Sequence, residues 1–195
     1  PAPDFRCKKD GFEFYLEATC IQIETATKLT GLHHVPQPGM STHSLLNGAI
    51  CRACILKTNQ CASVDAPCVV GVGTFHCHAS AVCVSEMAME WLLTGEQSIG
   101  FKFEPALGQI VGDPYSVTEL RCATFFNRLR DSTEPHKARS PISALLVGGF
   151  CKPPNVYGVL HPEPLYEFDR GVLERIPFCR LQPGYESGEM QTEWV

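Results

Sequence analysis

Thiols and imidazoles are the side chains here whose number and spacing suggest chemistry. The chain carries eleven cysteines and seven histidines in 195 residues, and eight of these groups crowd into one stretch: Cys51, Cys54, Cys61, Cys68, His76, Cys77, His78 and Cys83. Thiolate sulfur and imidazole nitrogen are zinc ligands, and a closed structural site takes four of them, so eight would fill two tetrahedral sites. The Cys51-Arg-Ala-Cys54 spacing can aim two sulfurs at one ion. Val69 to Phe75, rich in β-branched residues, predicts a strand running into the histidines. On a strand, His76 and His78 face one side and Cys77 the other. One ion then takes both imidazoles and another the thiolate, or the two sites interleave. The expectation is one or two structural Zn2+ ions in this segment. The alternative for the same residues is three disulfides beside surface histidines.

The other five cysteines, Cys7, Cys20, Cys122, Cys151 and Cys179, are scattered. They are the disulfide candidates. Eleven is odd, so at least one thiol has no partner within the chain; two disulfides and one unpaired thiol would complete the scattered five.

Positioning those groups requires a folded frame, and the patterning predicts one of α+β class: a small mixed or antiparallel sheet, one or two helices, and a zinc-stapled module. Phe12, Phe14 and Leu16 alternate with Glu13, Tyr15 and Glu17 as a half-buried strand does. Ala18 to Leu29 fits strand or helix, and Gly31 closes it. Val84 to Leu93 reads as a helix ending at Gly95, with Cys83 at its head. Phe101, Phe103 and Ile110 suggest short strands. Ser116 and Glu119 have capping-box spacing, and Cys122, Phe125, Phe126 and Leu129 follow at helical intervals, which predicts an amphipathic helix over 117–130. Arg121, Arg128 and Arg130, with Lys137 and Arg139, form the chain's basic concentration, read as a solvated face. Ile142 to Val147 is a buried-strand candidate with a bend at Gly148-Gly149, and Val156 to Leu160 is another strand. The expected organisation is 1–50 as the N-terminal part of the core, 51–95 as the Cys/His module, 96–181 as the C-terminal part of the core, and 182–195 as an exposed tail.

Sixteen Lys and Arg against 21 Asp and Glu leave a net charge of -5, which argues against nucleic acid as a partner, because binding there rewards a dense basic surface. No apolar run approaches the roughly 20 residues a bilayer requires. The opening Pro1-Ala-Pro-Asp4 lacks an initiator Met and leads to the expectation of a mature form with its signal peptide removed. Phosphate-loop, dinucleotide, metalloprotease and nucleophile-elbow motifs are missing. The zinc-deaminase pattern needs a carboxylate two residues after its histidine, and neither His76 nor His78 has one. A Cys/His nucleophile pair is a further enzymatic alternative.

The small size, the Cys51-x-x-Cys54 to Cys83 cluster with His76 and His78, and the missing enzyme motifs resemble the secreted cysteine-rich effectors of plant-pathogenic, rust-type fungi. That resemblance implies secretion, delivery into host cells, binding to a host protein, and recognition by immune receptors. A fainter resemblance is to fungal guanyl-specific ribonucleases and the effectors built on them. It rests on Phe5-Arg6-Cys7, Phe178-Cys179 and Gly158-Val-Leu-His161. It implies a Cys7 to Cys179 disulfide and His136 or His161 as the family histidine. The leading expectation is a non-catalytic effector-like protein with structural zinc. The alternatives are a ribonuclease-like or thiol-dependent hydrolase and a metal-free, disulfide-rich extracellular binding protein.

Overall fold

The alternating strand at Phe12 and the β-branched run from Val69 lie side by side, and the molecule is built outward from that contact. The computed structural model describes residues 2–34, 44–119, 123–128, 135–151, 153–183 and 190–195. In chain order the elements are β1 (Phe5–Lys9), β2 (Phe12–Ile21), α1 (Ile23–Thr30), α2 (Ser44–Cys61), β3 (Cys68–Thr74), α3 (Cys77–Cys83) and α4 (Glu86–Thr94). There follow β4 (Glu96–Glu104), β5 (Gln109–Glu119), β6 (Phe126–Arg128), β7 (Pro135–Lys137), β8 (Ala144–Gly149), β9 (Asn155–Leu160), β10 (Phe178–Leu181) and β11 (Thr192–Trp194), with a 3-10 turn at Arg170–Leu173 before β10. The class is α+β, with four α-helices among the described residues where one or two were expected.

Seven strands form one mixed sheet in the order β1-β2-β3-β8-β9-β10-β11. β2, β3 and β8 run parallel, as do β9 and β10; the other neighbours are antiparallel. Asp10 and Gly11, at φ 53° and 86°, make the tight turn into β2 that an Asp-Gly pair favours. Parallel neighbours need long crossovers. α1 and α2 lie in the first, between β2 and β3, and α3 and α4 in the second, between β3 and β8. The ambiguous stretch from Ala18 to Leu29 is therefore both things: strand to Ile21, then helix, closed by Gly31 at φ 69°.

The helices cover one face of the sheet. Val70, Val72, Leu145, Val147 and Val159 meet Leu46, Ile50 and Cys54 of α2, Ala79 of α3, and Met89 and Leu92 of α4. On the opposite face Phe14, Val69, Ala144 and Phe178 are covered by Phe168 and Val172, with ring centroids 5.2 Å apart for Phe14 and Phe168. Gly148 and Gly149 are the last residues of β8 and not a bend. A Cβ on Gly149 would stand 2.8 Å from Ser80 Cβ, so its absence lets α3 touch the strand.

A charge is also carried inside. Glu17 on β2 is fully buried, Lys57 Nζ on α2 lies 2.5 Å from its Oε1, and the Asp4 N–H donates to its Oε2 at 3.1 Å. The pair pins α2 over β2.

Three expectations change. Residues 117–119 finish β5 and 126–128 form β6, so no helix spans 117–130; positions 120–122, with Cys122, and 129–134 lie outside the described residues. β4 offers the first of these segments a strand partner. In the second, the Arg139 guanidinium donates to the carbonyls of Thr124, Phe126 and Ala123 and to Asn127 Oδ1, supplying the partners that helical bonding would otherwise provide. The far end of the 182–195 tail returns to the sheet as β11, where Trp194 stands edge-on to Tyr157 at 5.6 Å and donates to Glu90 at 3.2 Å. Residues 51–95 are not set apart, because they supply β3, the third strand of seven.

Because Glu17 is sealed while Lys57 reaches solvent, Lys57→Met leaves an uncompensated buried carboxylate. It is expected to cost about 3–5 kcal/mol in urea unfolding, and the double change Glu17→Leu/Lys57→Met clearly less. Equal losses in the two variants would show that the ion pair does not hold α2.

Candidate functional site

The expected zinc ligands follow the elements that carry them. Cys51, Cys54 and Cys61 lie on the core side of α2, where all three are buried, and ten residues of helix separate the first from the last by about 15 Å. Desolvation raises the Cys54 thiol well above its ordinary range, and Cys51 Sγ lies 3.5 Å from the Ala123 carbonyl. Cys61 and Cys68 are neighbours, and their mutual interaction raises the Cys68 thiol and lowers Cys61. Cys68 opens β3, and the histidines follow that strand's other end, about 20 Å away by strand rise. Cys83 is buried at the end of α3, its thiol pushed up to about 12 by desolvation. No three His, Cys, Asp or Glu side chains converge on a metal position among the described residues. Six of the eight groups are spread through the core while Cys77 and His78 are half-buried, and among the described residues the eight do not present two tetrahedral sets.

The imidazoles have another task. His76 does not continue β3; it is the N-cap of α3, with φ -77° and ψ 123°. Its Nδ1 accepts from the Ala79 N–H at 3.2 Å. His34 Nδ1 accepts from the Cys77 N–H at 3.1 Å. Two helix-start donors are thereby satisfied by histidine. An imidazole accepting at Nδ1 carries its proton on Nε2, whereas a zinc-bound Nε2 needs that lone pair free and Nδ1–H donating outward. The hydrogen bonding of His34 and His76 therefore does not fit zinc at Nε2. The His34 and His76 ring centroids are 5.3 Å apart, and those of His76 and His78 6.2 Å. Desolvation lowers the His76 pKa, the Leu32 carbonyl opposes that from a position that does not meet hydrogen-bond geometry, and the two neighbouring imidazoles add to the lowering. His76 Nε2 is buried without a hydrogen-bond partner among the described residues.

The scattered cysteines also sort differently from expectation. Cys151 meets Cys77, so this contact joins one expected metal ligand to one expected disulfide partner. Cys7 packs on the face covered by Phe168, and Cys179 on the helix-covered face, with four strands between β1 and β10. A disulfide needs Cα atoms within about 7 Å and Cβ vectors that meet, so Cys7 and Cys179 cannot pair here. Cys179 is buried and its thiol pushed up to about 12 by desolvation. Cys20 is exposed at the end of β2.

A cleft of about 740 Å³ gathers Lys137, His161, Glu163, Glu167 and Arg180. These are residue types that acid–base chemistry uses, and only His161 was singled out from sequence. The arrangement is self-neutralising. Lys137 pairs with Glu163, and Arg180 with Glu193 at 2.6 Å. His161 Nε2 donates to the Ala138 carbonyl at 2.9 Å while Nδ1 accepts from the Glu163 N–H at 2.9 Å, leaving neither nitrogen for a substrate proton. Burial drives its pKa down to about 4. His136 is exposed on β7.

The β4–β5 ribbon is a site that sequence reading did not single out. Among the described residues it pairs with no other strand. Ile99, Phe101 and Phe103 alternate along β4, and Ile110 stands opposite Phe103. All four are more than half exposed, as is Leu107 in the turn. Across the other face the Tyr115 ring covers Gly100, where a Cβ would come within 2.6 Å. The sequence signal was present in the alternation Ile99, Phe101, Phe103, but nothing in it distinguishes an uncovered face from a buried one.

No protein-family model matches the chain, and no curated protein or solved structure is detectably similar to it.

His161 supplies a pH test. Its folded pKa of about 4 lies below the ordinary 6.5, so the unfolded chain binds more protons between those values and stability rises with pH across that window. His161→Asn is expected to flatten this rise by up to about 3 kcal/mol in urea unfolding followed from pH 4 to 7. An unchanged slope would show that His161 titrates alike folded and unfolded.

Proposed function

We propose that the chain is a non-catalytic binding protein that engages a partner macromolecule through the apolar face of the β4–β5 ribbon. The observation that carries this reading is the exposure of Ile99, Phe101, Phe103 and Ile110 on a ribbon that no other strand among the described residues joins. A two-stranded ribbon is marginal in water by itself, and an uncovered apolar patch of a few hundred Å² marks an interaction surface. Aromatic side chains are suited to the centre of such an interface, because each buries about 150–250 Å². The paired charges of the cleft and the doubly hydrogen-bonded His161 favour binding over acid–base catalysis.

The wider reading follows the effector resemblance: a secreted protein that enters host cells and binds a host protein there. No described helix is long and apolar enough to cross a membrane. Zinc is not needed by this reading. Its cysteines serve as buried apolar residues and as neighbouring thiol pairs, which favours the metal-free alternative.

The test is a double variant, Phe101→Ser/Phe103→Ser, compared with the parent as bait in an extract of host tissue and then in equilibrium binding to any protein retained. The parent is expected to hold a defined protein at least about 10-fold more tightly than the variant, as loss of central aromatic anchors predicts, with the far-UV spectrum unchanged. Equal retention would contradict the ribbon as the interface. Robust RNA cleavage by the purified parent, lost in His161→Ala, would overturn the non-catalytic reading.

A further inference from the structure

β3 and β8 are parallel neighbours, with Thr74 opposite Gly149 in the register. The Phe150 N–H continues the ladder to the Thr74 carbonyl at 2.9 Å. Cys77 lies three residues beyond Thr74 as the first residue of α3, and Cys151 two beyond Gly149. The two chain ends leave the sheet side by side and bring the two thiols next to each other, Cys151 being the neighbour that raises the Cys77 thiol. Cys151 Sγ also reaches the Phe75 carbonyl at 3.0 Å. Both cysteines are partly exposed, whereas Cys61 and Cys68, a second pair of neighbouring thiols, are about fully buried. The surroundings hold the pair in place. The Cys77 N–H is fixed by His34, α3 sits against Gly149, and the Phe75 and Phe150 rings, whose residues adjoin the two strand ends, lie 5.1 Å apart.

We propose that Cys77 and Cys151 are a solvent-accessible, reversible dithiol–disulfide pair that ties the first turn of α3 to the end of β8. The oxidant is a small-molecule disulfide of the glutathione class. Cys151, as thiolate, attacks one sulfur of that disulfide; its S–S bond breaks, one small thiolate leaves, and a mixed disulfide forms on Cys151. Cys77 then loses its proton to solvent and attacks the Cys151 sulfur, which expels the second small thiolate. The net change is two protein thiols plus one small disulfide giving one protein disulfide plus two small thiols, with two electrons passing to the oxidant. A small disulfide reaches exposed sulfurs and is kept from buried ones, so this pair responds while Cys61 and Cys68 do not. The proposal is independent of the ribbon's partner.

The test uses the full chain, fully reduced and then equilibrated in glutathione buffers from reducing to oxidising, with free thiols blocked by an alkylating agent before unreduced peptide mapping. The expected result is a Cys77–Cys151 cross-linked peptide with the loss of two hydrogens, going from absent to the dominant form of these two cysteines while Cys61 and Cys68 stay as they began. Returning the protein to reducing buffer restores both thiols. Cys77→Ser and Cys151→Ser each abolish the cross-link and leave the remaining cysteine as a glutathione adduct. Separate alkylation of Cys77 and Cys151 under oxidising conditions, or linkage of either to another cysteine such as Cys122, would overturn the proposal. The parent alone gives a decisive result even if a variant fails to fold.

Discussion

Seating α2 on the parallel strands β2 and β3 is the constraint from which the rest of the molecule follows. One side of that helix carries Leu46, Ile50, Cys51, Cys54 and Cys61, all withdrawn from water. A free cysteine in such a place behaves as a small hydrophobe. Burial raises the Cys54 thiol, so the neutral form is the one suited to the interior. The Glu17–Lys57 pair fixes where along β2 the helix rests. A buried ion pair is weak evidence for stability, but it favours one register over its neighbours. With α2 placed, β3 is held between β2 and β8, and α3 leaves it at a set point.

That point of departure organises the chemistry. Loops at the carboxyl ends of parallel strands are where open α/β sheets place ligands, and here the ends of β3 and β8 bring together three imidazoles, two thiols and two neighbouring, mutually tilted aromatic rings. What each can do is decided by hydrogen bonding more than by residue type. His34 and His76 spend Nδ1 on the start of α3, so they hold the helix that carries Cys77. At the other end of β8 the same principle turns His161 into a structural residue between the Ala138 carbonyl and the Glu163 N–H.

Much of the sheet was legible in the residues. The alternation from Phe12, the β-branched run to Thr74 and the apolar segment at Ile142 appear as β2, β3 and β8, and the helix ending near Gly95 appears as α4, with Ser85 as its N-cap. The helix over 117–130 was misread because Phe125 and Phe126 satisfy a helical spacing while the Phe125 carbonyl accepts from the Ala138 N–H and the Phe126 carbonyl from the Arg139 guanidinium, partners thirteen residues on that no local pattern reports. Arg139 itself read as part of a solvated basic face; it is a partly buried hydrogen-bond donor to four acceptors. For the site, spacing along the sequence did not report spacing in the fold. Cys51, Cys54 and Cys61 are close in sequence but follow helical spacing along one buried side, while Cys77 and Cys151 are distant in sequence and adjacent only because β3 and β8 pair.

The measurement that bears most directly on this account is native-state alkylation of the reduced protein, read cysteine by cysteine, with and without a strong zinc chelator. Sulfurs held as core residues open only with the surrounding structure. Cys54, Cys68, Cys83 and Cys179 are therefore predicted to stay protected at the same slow rate in both conditions, while exposed Cys20 is labelled quickly in both. Simultaneous exposure of Cys51, Cys54, Cys61 and Cys68 on chelation, with zinc released in proportion, would contradict it and restore the cluster as a metal centre.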